Sequence, residues 1–197
     1  MYFHFHSKTD KDPYFNGKLQ SIQCEAVKSN AQRCKNHTVI GQTYCHAHRK
    51  KMLHLQIKKS TIPGAGQGLF AAGDEGKIIF KTGDRICMYN GQLLNDLELL
   101  RRYREETAPY AIELHKKDGE VQYEDAATRR GIGSLANHNR NKSKINARLS
   151  ISRNNRAQLI ATKNIRSGAE ILVDYGPDYG FDDDVCTATN RSKKNCY

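Results

Sequence analysis

Four residues near the N-terminus have the types and the spacing of a zinc site. Nine, ten and two residues separate them in the order Cys24, Cys34, Cys45 and His48. Three thiolates and one imidazole complete a tetrahedral shell, and zinc prefers this combination of sulfur and nitrogen ligands. The Cys45-x-x-His48 pair can bind one ion from a single turn, and Gly41 provides a tight bend before it. The pattern predicts a Cys3His zinc module over residues 21–54.

Other interpretations of this segment have a different fourth ligand or no bound metal. His37 and His46 are alternatives to His48, although His46 directly follows Cys45 and would strain the chelate. The cysteines could instead be buried free thiols. A segment this short with few large apolar residues does not hold a fold unaided. We therefore expect metal binding, worth on the order of 10–16 kcal/mol and coupled to folding, to stabilise it.

A second group of residues lies between Gly131 and Gly180. It contains an Asn137-His138 pair, two β-like runs, a Gly-Ala-Glu turn and an Asp174-Tyr175-Gly176 triplet. Further upstream, Gly64, Gly66 and Gly68 surround the β-like run QGLFAA. Glycine allows a close backbone approach to a ligand. Because no GxGxxG opens a long helix here, the context excludes a Rossmann or P-loop site.

In this order and spacing the motifs resemble those of the SET-domain protein-lysine methyltransferases. The resemblance covers residues 55–180. It implies a mostly β fold of small curved sheets, few short helices and a C-terminal segment threaded under an earlier loop. It also implies S-adenosylmethionine as the methyl donor. The residues that it places against this cofactor are Gly66, Gln67, Gly68, Leu69, Asn137, His138 and Tyr175.

The resemblance further assigns three tyrosines to the lysine channel. Tyr175 matches the catalytic tyrosine, and Tyr110 stands where the family often has a second active-site tyrosine, although an ordinary strand tyrosine fits there equally. Tyr179 falls near the Phe/Tyr switch and implies monomethylation. A tyrosine hydroxyl accepts a hydrogen bond from an amine, and its ring provides an apolar wall. The lysine, with a reference pKa of ~10.4, must arrive neutral, which burial beside a sulfonium promotes.

Several positions depart from the family pattern. Ser134 stands where most members have arginine, Asn139-Arg140 replaces Ser-Cys, and the loop to Asn146 is longer. Only Cys186 and Cys196 follow the domain, which argues against the usual C-terminal zinc cluster of four thiolates. The intact glycine, Asn-His and Asp-Tyr-Gly motifs favour an active enzyme. The departures favour an inactive SET scaffold that binds chromatin or nucleic acid.

Composition bears on partners and location. The 197 residues carry a formal net charge of +11, and basic residues cluster at 49–59, 101–104 and 129–130. Such a surface suits DNA or a nucleosome, although a solvated surface would look the same. The acidic run 182–184 would attract a basic protein such as a histone tail, but ribosomal, viral or bacterial substrates fit equally. No secretory signal and no run near the ~20 apolar residues of a membrane span is found. We expect a soluble intracellular protein of the nucleus with no membrane partner.

The elements that must position these residues can be predicted in outline. Residues 1–20 form a flexible arm, and 181–197 form a tail. The module's last helix is expected to run into a strand within LHLQIKKST. A helix opens at Asn95, with Glu98 completing a capping box and a solvated basic face, and ends at Pro109. YAIEL and EVQYEDA predict a hairpin that turns at residues 117–119.

Overall fold

The computed structural model describes residues 20–104 and 108–176. Nearly all of the predicted N-terminal arm lies outside these ranges. So do Tyr179, the acidic run 182–184, Cys186 and Cys196.

Short strands dominate the described chain. The N-terminal part contains β1 (Ser21–Gln23), β2 (His37–Val39), helix α1 (His46–Leu53), β3 (Leu55–Lys59) and β4 (Gln67–Ala71). The central part contains β5 (Ile78–Phe80), β6 (Arg85–Met88), β7 (Gln92–Asn95), helix α2 (Asp96–Tyr103), β8 (Ala111–Glu113) and β9 (Gln122–Asp125). The C-terminal part contains β10 (Asn137–His138), β11 (Ala147–Ile151), β12 (Ala157–Ala161), β13 (Ile165–Arg166) and β14 (Leu172–Val173). Single 3-10 turns cover Ile132–Leu135 and Lys142–Lys144.

The strands form several small sheets. Two sheets have three strands, in the orders β11-β12-β6 and β7-β9-β8, and the other strands pair as β1-β2, β3-β4, β13-β5 and β10-β14. Among the strand pairs within residues 20–104 and 108–176, only β10-β14 is parallel. Leu55, Leu69, Leu159, Ile165 and Ile171 are fully buried in one core, to which strands of three sheets contribute. The mostly β, few-helix architecture confirms the predicted fold class, and the β8-β9 hairpin confirms its predicted position.

Helix α2 begins as predicted and ends early. Asn95 accepts from the Glu98 amide, and Glu98 accepts from the Asn95 amide, so the capping box is complete. The expected end at Pro109 is wrong, because the helix stops at Tyr103 and Arg104 takes a positive φ of 55°. The local chain turns before the proline is reached.

The face of α2 that packs on the domain also differs from expectation. Arg102, expected on a solvated face, donates to the fully buried carboxylate of Asp125, which also accepts from the Tyr103 hydroxyl at 2.9 Å. Leu97 and Leu100 are instead 63% and 54% exposed. A polar pair therefore fixes this helix on the sheet, which a pattern of apolar spacing does not reveal.

The segment 170–173 is held by both ends of the loop that runs from 137 to 146. On one side β14 pairs with β10, matching Asn137 with Leu172. On the other, the Asn146 side chain donates to the Glu170 carbonyl at 2.8 Å and accepts from the Leu172 amide at 2.9 Å. This is the arrangement expected of a C-terminal segment that passes beneath an earlier loop.

No helix within residues 20–104 and 108–176 is long and apolar enough to cross a membrane.

We expect Gly131→Ala to destabilise the domain strongly. Gly131 has φ −64°, which any residue adopts, but an added Cβ would lie 1.8 Å from the Tyr89 carbonyl oxygen. Backbone cannot yield as a side chain does, so we expect a loss of about 1–3 kcal/mol or more. Urea unfolding followed by circular dichroism measures it.

The matched control is Gly73→Ala. There the added Cβ meets only the flexible end of Ile79, at 2.3 Å from Cδ1. Equal midpoints for the two variants would contradict the proposed backbone clash.

Candidate functional site

The four predicted metal ligands lie together. The Sγ atoms of Cys24, Cys34 and Cys45 and a ring nitrogen of His48 are all within 4.8 Å of one another. His48 Nδ1 is 3.3 Å from Cys45 Sγ and 3.6 Å from Cys24 Sγ. The three cysteines are buried, and His48 is half-buried. The alternatives, His37 and His46, are not members of this group.

The local chain explains how the ligands converge. Cys45 is the N-cap of α1 and His48 lies in its first turn, so one turn presents both side chains. The Cys24 and Cys34 amides donate to Asn36 and Ala26 carbonyls at 2.8 and 2.7 Å. These bonds fold the two loops beside the β1-β2 pair toward the helix start.

The surroundings of Cys24 and Cys45 shift the pKa values of these two thiols in opposite directions. Burial raises the pKa of Cys24. Burial also opposes ionisation of Cys45, but hydrogen bonds from the His48 amide, the His48 ring and Asn36 lower its pKa to about 6.

Arg49 gives a second indication. It is 6% exposed, burial lowers its pKa, and the charge of Cys45 opposes that change. Its Nε and Nη1 atoms have no hydrogen-bond acceptor within the described part of the chain. Three thiolates with Zn²⁺ keep one negative charge, which would compensate this buried cation. The donor set and Arg49 therefore suit zinc.

Glu170 organises the second site and was not predicted. It is 6% exposed and accepts hydrogen bonds from the Ser60 hydroxyl at 2.6 Å and from both the amide and hydroxyl of Thr61. Asn137 Nδ2 lies 3.3 Å from the same carboxylate. A Cβ on Gly68 would meet Glu170 Oε1 at 2.3 Å, so glycine is required there to admit the acid. The signal in the sequence was an acid placed directly before the apolar run ILV.

The two halves of the glycine-rich segment differ in backbone conformation and in burial. Gly64 and Gly66 have φ of 76° and 68°, and a Cβ on Gly64 would meet nothing within 4 Å. Gly66 and Gln67 are half-buried. Gly68 and Leu69 are buried, and the Leu69 carbonyl accepts from the Ile171 amide at 2.7 Å. Gly64 thus lies on an open turn, whereas Gly68 and Leu69 are packed in the strand that follows it.

Asn137, His138 and Tyr175 form one hydrogen-bonded unit. Asn137 donates to the Gln67 carbonyl at 2.9 Å, which ties it to the glycine-rich segment. The Tyr175 amide donates to His138 Nδ1 at 3.1 Å, so a neutral His138 carries its proton on Nε2. The Tyr175 hydroxyl donates to the Ala136 carbonyl at 2.9 Å. The structure therefore joins the predicted cofactor residues to the predicted catalytic tyrosine.

Tyr110 lies in a neighbouring aromatic group. The buried Tyr89 donates its hydroxyl to the Tyr110 carbonyl at 2.9 Å. Burial raises the pKa of Tyr89 well above its usual value, and the nearby Tyr175 raises it further. Tyr89 thus has Tyr110 as a direct partner and Tyr175 as an electrostatic neighbour. Arg130 stacks on the Tyr110 ring, with Cζ 4.1 Å from the centroid. Neither Tyr89 nor Arg130 was predicted as a site residue.

Ser134, which replaces a family arginine, has a local structural role. Its hydroxyl donates to the Gly131 carbonyl at 2.7 Å and closes the turn before Asn137.

Comparison with known proteins agrees with this geometry. The SET domain model matches residues 66–176. The variant-silencing SET domain-containing protein of Plasmodium falciparum is 27% identical over an alignment of 188 residues, which covers 90% of this chain and 7% of that protein.

Solved structures are similar as well. The polycomb repressive complex 2 of Chaetomium thermophilum has a TM-score of 0.50 at 26% identity, over 63% of this chain and 15% of that one. A structure described as ctPRC2 in an autoinhibited conformation bound to S-adenosylmethionine has a TM-score of 0.51 at 26% identity, over 70% and 17%. The chain thus spans a small part of each relative. Since the family model covers more than half of its residues, the chain belongs to the SET domain family.

Proposed function

We propose that this chain is a protein-lysine N-methyltransferase that uses S-adenosylmethionine. The observation that carries the proposal is the hydrogen bond from the Tyr175 hydroxyl to the Ala136 carbonyl. It commits the phenolic proton, so the lone pairs of the oxygen are left to accept from a substrate amine. The similar structure of ctPRC2 bound to S-adenosylmethionine supports the cofactor.

The cofactor supplies a methyl group on a sulfonium that also serves as the leaving group. The remaining task of the protein is alignment and electrostatics. Asn137 and Glu170 hold the open turn at Gly64–Gly66 in place. The Tyr175 amide donates to His138, which fixes the tyrosine. The Tyr175 hydroxyl oxygen then orients the substrate amine by accepting a hydrogen bond from one of the amine's N–H groups. The lone pair of a neutral amine then points along the line of transfer.

Substrate and location are proposed from charge and from the relatives. Polycomb complexes among the similar structures favour a chromatin substrate, such as a histone tail or another basic protein, and the nucleus as the place of action. A ribosomal, viral or bacterial protein is the alternative substrate. Monomethylation remains a proposal, because Tyr179 lies outside the described residues.

The first test separates cofactor binding from transfer. Asn137→Ala should abolish S-adenosylmethionine binding, because it frees the turn that Asn137 and Glu170 anchor. Tyr175→Phe should keep binding but lower kcat on the order of 100-fold, because it misaligns the amine. Calorimetric titration measures the first effect, and transfer of labelled methyl groups to mixed core histones measures the second.

Asn164→Ala is the control for that test. Asn164 is exposed, and its side-chain oxygen accepts from the Thr82 amide, outside the predicted cofactor and catalytic residues. A folded wild-type protein that binds no S-adenosylmethionine, alone or with histones, would rule out the proposed activity.

We propose one structural zinc ion per chain at the Cys3His cluster. Cys45→Ser should lose the ion and unfold the module, because the buried apolar residues of the module are mainly the cysteines themselves. Metal content by atomic absorption and circular dichroism after chelation measure both effects. Cys87→Ala is the control, because Cys87 is buried in the SET core with a pKa raised to about 12. Full metal content in Cys45→Ser would exclude this ligand set.

A specific feature also favours contact with nucleic acid. A cleft of about 540 Å³ between α1 and the β4–β5 turn is lined by Lys50, Lys51, His54, Lys77 and Asp74 among others. Asp74 pairs with Lys77, which leaves Lys50 and Lys51 as a concentrated positive charge. Phosphates of DNA would suit this cleft. In the alternative function, an inactive SET scaffold would use it as its principal binding site.

Charge reversal tests this contact. Lys50→Glu with Lys51→Glu should weaken binding to duplex DNA and flatten the plot of log affinity against log salt by about 1–2 units. Lys116→Glu with Lys117→Glu, on the exposed β8–β9 turn, is the matched control. Equal slopes would remove the cleft from the interface. DNA binding by a protein that binds no S-adenosylmethionine would support the scaffold function.

A further inference from the structure

We propose that Arg130 positions Tyr110 and that the zinc module, through Gln42, holds Arg130 in place. The functional part of this inference rests on the proposed methyltransferase activity, in which Tyr110 lines the lysine channel. The contacts themselves do not depend on that activity.

The guanidinium of Arg130 is the group that packs on the Tyr110 ring. Arg130 is 4% exposed, and its Cζ lies 4.1 Å from the ring centroid, within the range of a favourable cation–π contact. The Tyr110 carbonyl accepts from the Tyr89 hydroxyl at 2.9 Å and from the Ala126 amide at 3.0 Å. The backbone of Tyr110 is therefore fixed. Arg130, packed on the face of the ring, restricts rotation of the Tyr110 side chain.

The position of Arg130 is set in turn by the zinc module. Gln42 is 4% exposed, and its Nε2 donates to the Arg130 carbonyl at 3.3 Å. Its Oε1 accepts from Thr38 at 3.4 Å, so both ends of the amide are used. A Cβ on Gly41 would lie 2.8 Å from the Gly131 amide nitrogen and 2.9 Å from the Arg130 carbonyl carbon. The module thus rests directly on the peptide bond between Arg130 and Gly131.

The opposite side of this peptide is also blocked. Gly131 packs against the Tyr89 carbonyl so closely that a Cβ would be 1.8 Å from its oxygen. The 130–131 peptide is therefore clamped between the module and the end of β6. A change in the module that moves this peptide also moves the cation on Tyr110.

The decisive measurement is fluorine NMR of a chain with fluorotyrosine at position 110. Arg130→Ala should shift or broaden the resonance, Arg130→Lys should restore part of the wild-type signal, and Gln42→Ala should move it in the same direction as Arg130→Ala. Gln32→Ala, an exposed glutamine of the same module, is the matched control. An unchanged signal in a folded, metal-loaded Gln42→Ala protein would overturn the coupling whether or not the chain is an enzyme.

Kinetics test the consequence for the channel. With mixed core histones as acceptor, Arg130→Ala should raise KM for the acceptor about tenfold or change the ratio of methylation states. Its affinity for S-adenosylmethionine should stay at the wild-type value. Because Gln42 acts through Arg130, the variant that carries both Gln42→Ala and Arg130→Ala should have the same KM as Arg130→Ala. A KM raised by the product of the two single effects would contradict the proposed coupling. If the wild-type protein is active and the variants have the same kinetic constants, the positioning inference alone is wrong. If the wild-type protein is inactive, the proposed function is wrong, and the NMR result decides whether Arg130 positions Tyr110.

Discussion

The buried carboxylate of Glu170 is the group on which the SET part of the structure depends. A buried charge is costly unless hydrogen bonds satisfy it, and Ser60, Thr61 and Asn137 supply them. These donors come from chain segments far apart in sequence. One acid thus fixes the glycine-rich turn, the Asn-His strand and β14 relative to each other before any ligand arrives. Without it, the Ser60 hydroxyl, the Thr61 amide and hydroxyl and the buried Asn137 amide would lose a shared acceptor together.

The arrangement of Tyr175 follows from that constraint. Glu170 lies two residues before β14, whose pairing with β10 sets Asn137 against Leu172 and His138 against Val173. The register brings the Tyr175 amide to His138 and its hydroxyl to the Ala136 carbonyl. A parallel pair of two residues is weak by itself. Asn146 reinforces it from the other side, so polar contacts orient Tyr175 while its ring packs against the edge of the apolar core.

What could be predicted from the sequence was what local chemistry determines. The Cys3His cluster could be predicted because cysteine and histidine are characteristic metal ligands, and the capping box at Asn95 because its partners are three residues apart. Glu170, the pair of Arg102 with Asp125, and the stacking of Arg130 were missed. Each depends on a partner brought close by tertiary folding, and an acid or arginine has the same appearance in sequence whether it is solvated or buried.

The zinc module and the SET domain are joined by the same kind of polar contact. The module has little core beyond Cys24, Ala26, Cys34, Cys45 and Tyr44, so its shape relies on the proposed metal. Its turn at Gly41 and Gln42 nevertheless rests on the Arg130–Gly131 peptide, and the Arg130 side chain packs on the Tyr110 ring. A buried amide oriented at both ends transmits position better than an apolar contact, because its geometry is directional. Loss of the proposed metal would therefore disturb the contact between Arg130 and Tyr110 before it disturbed the SET core.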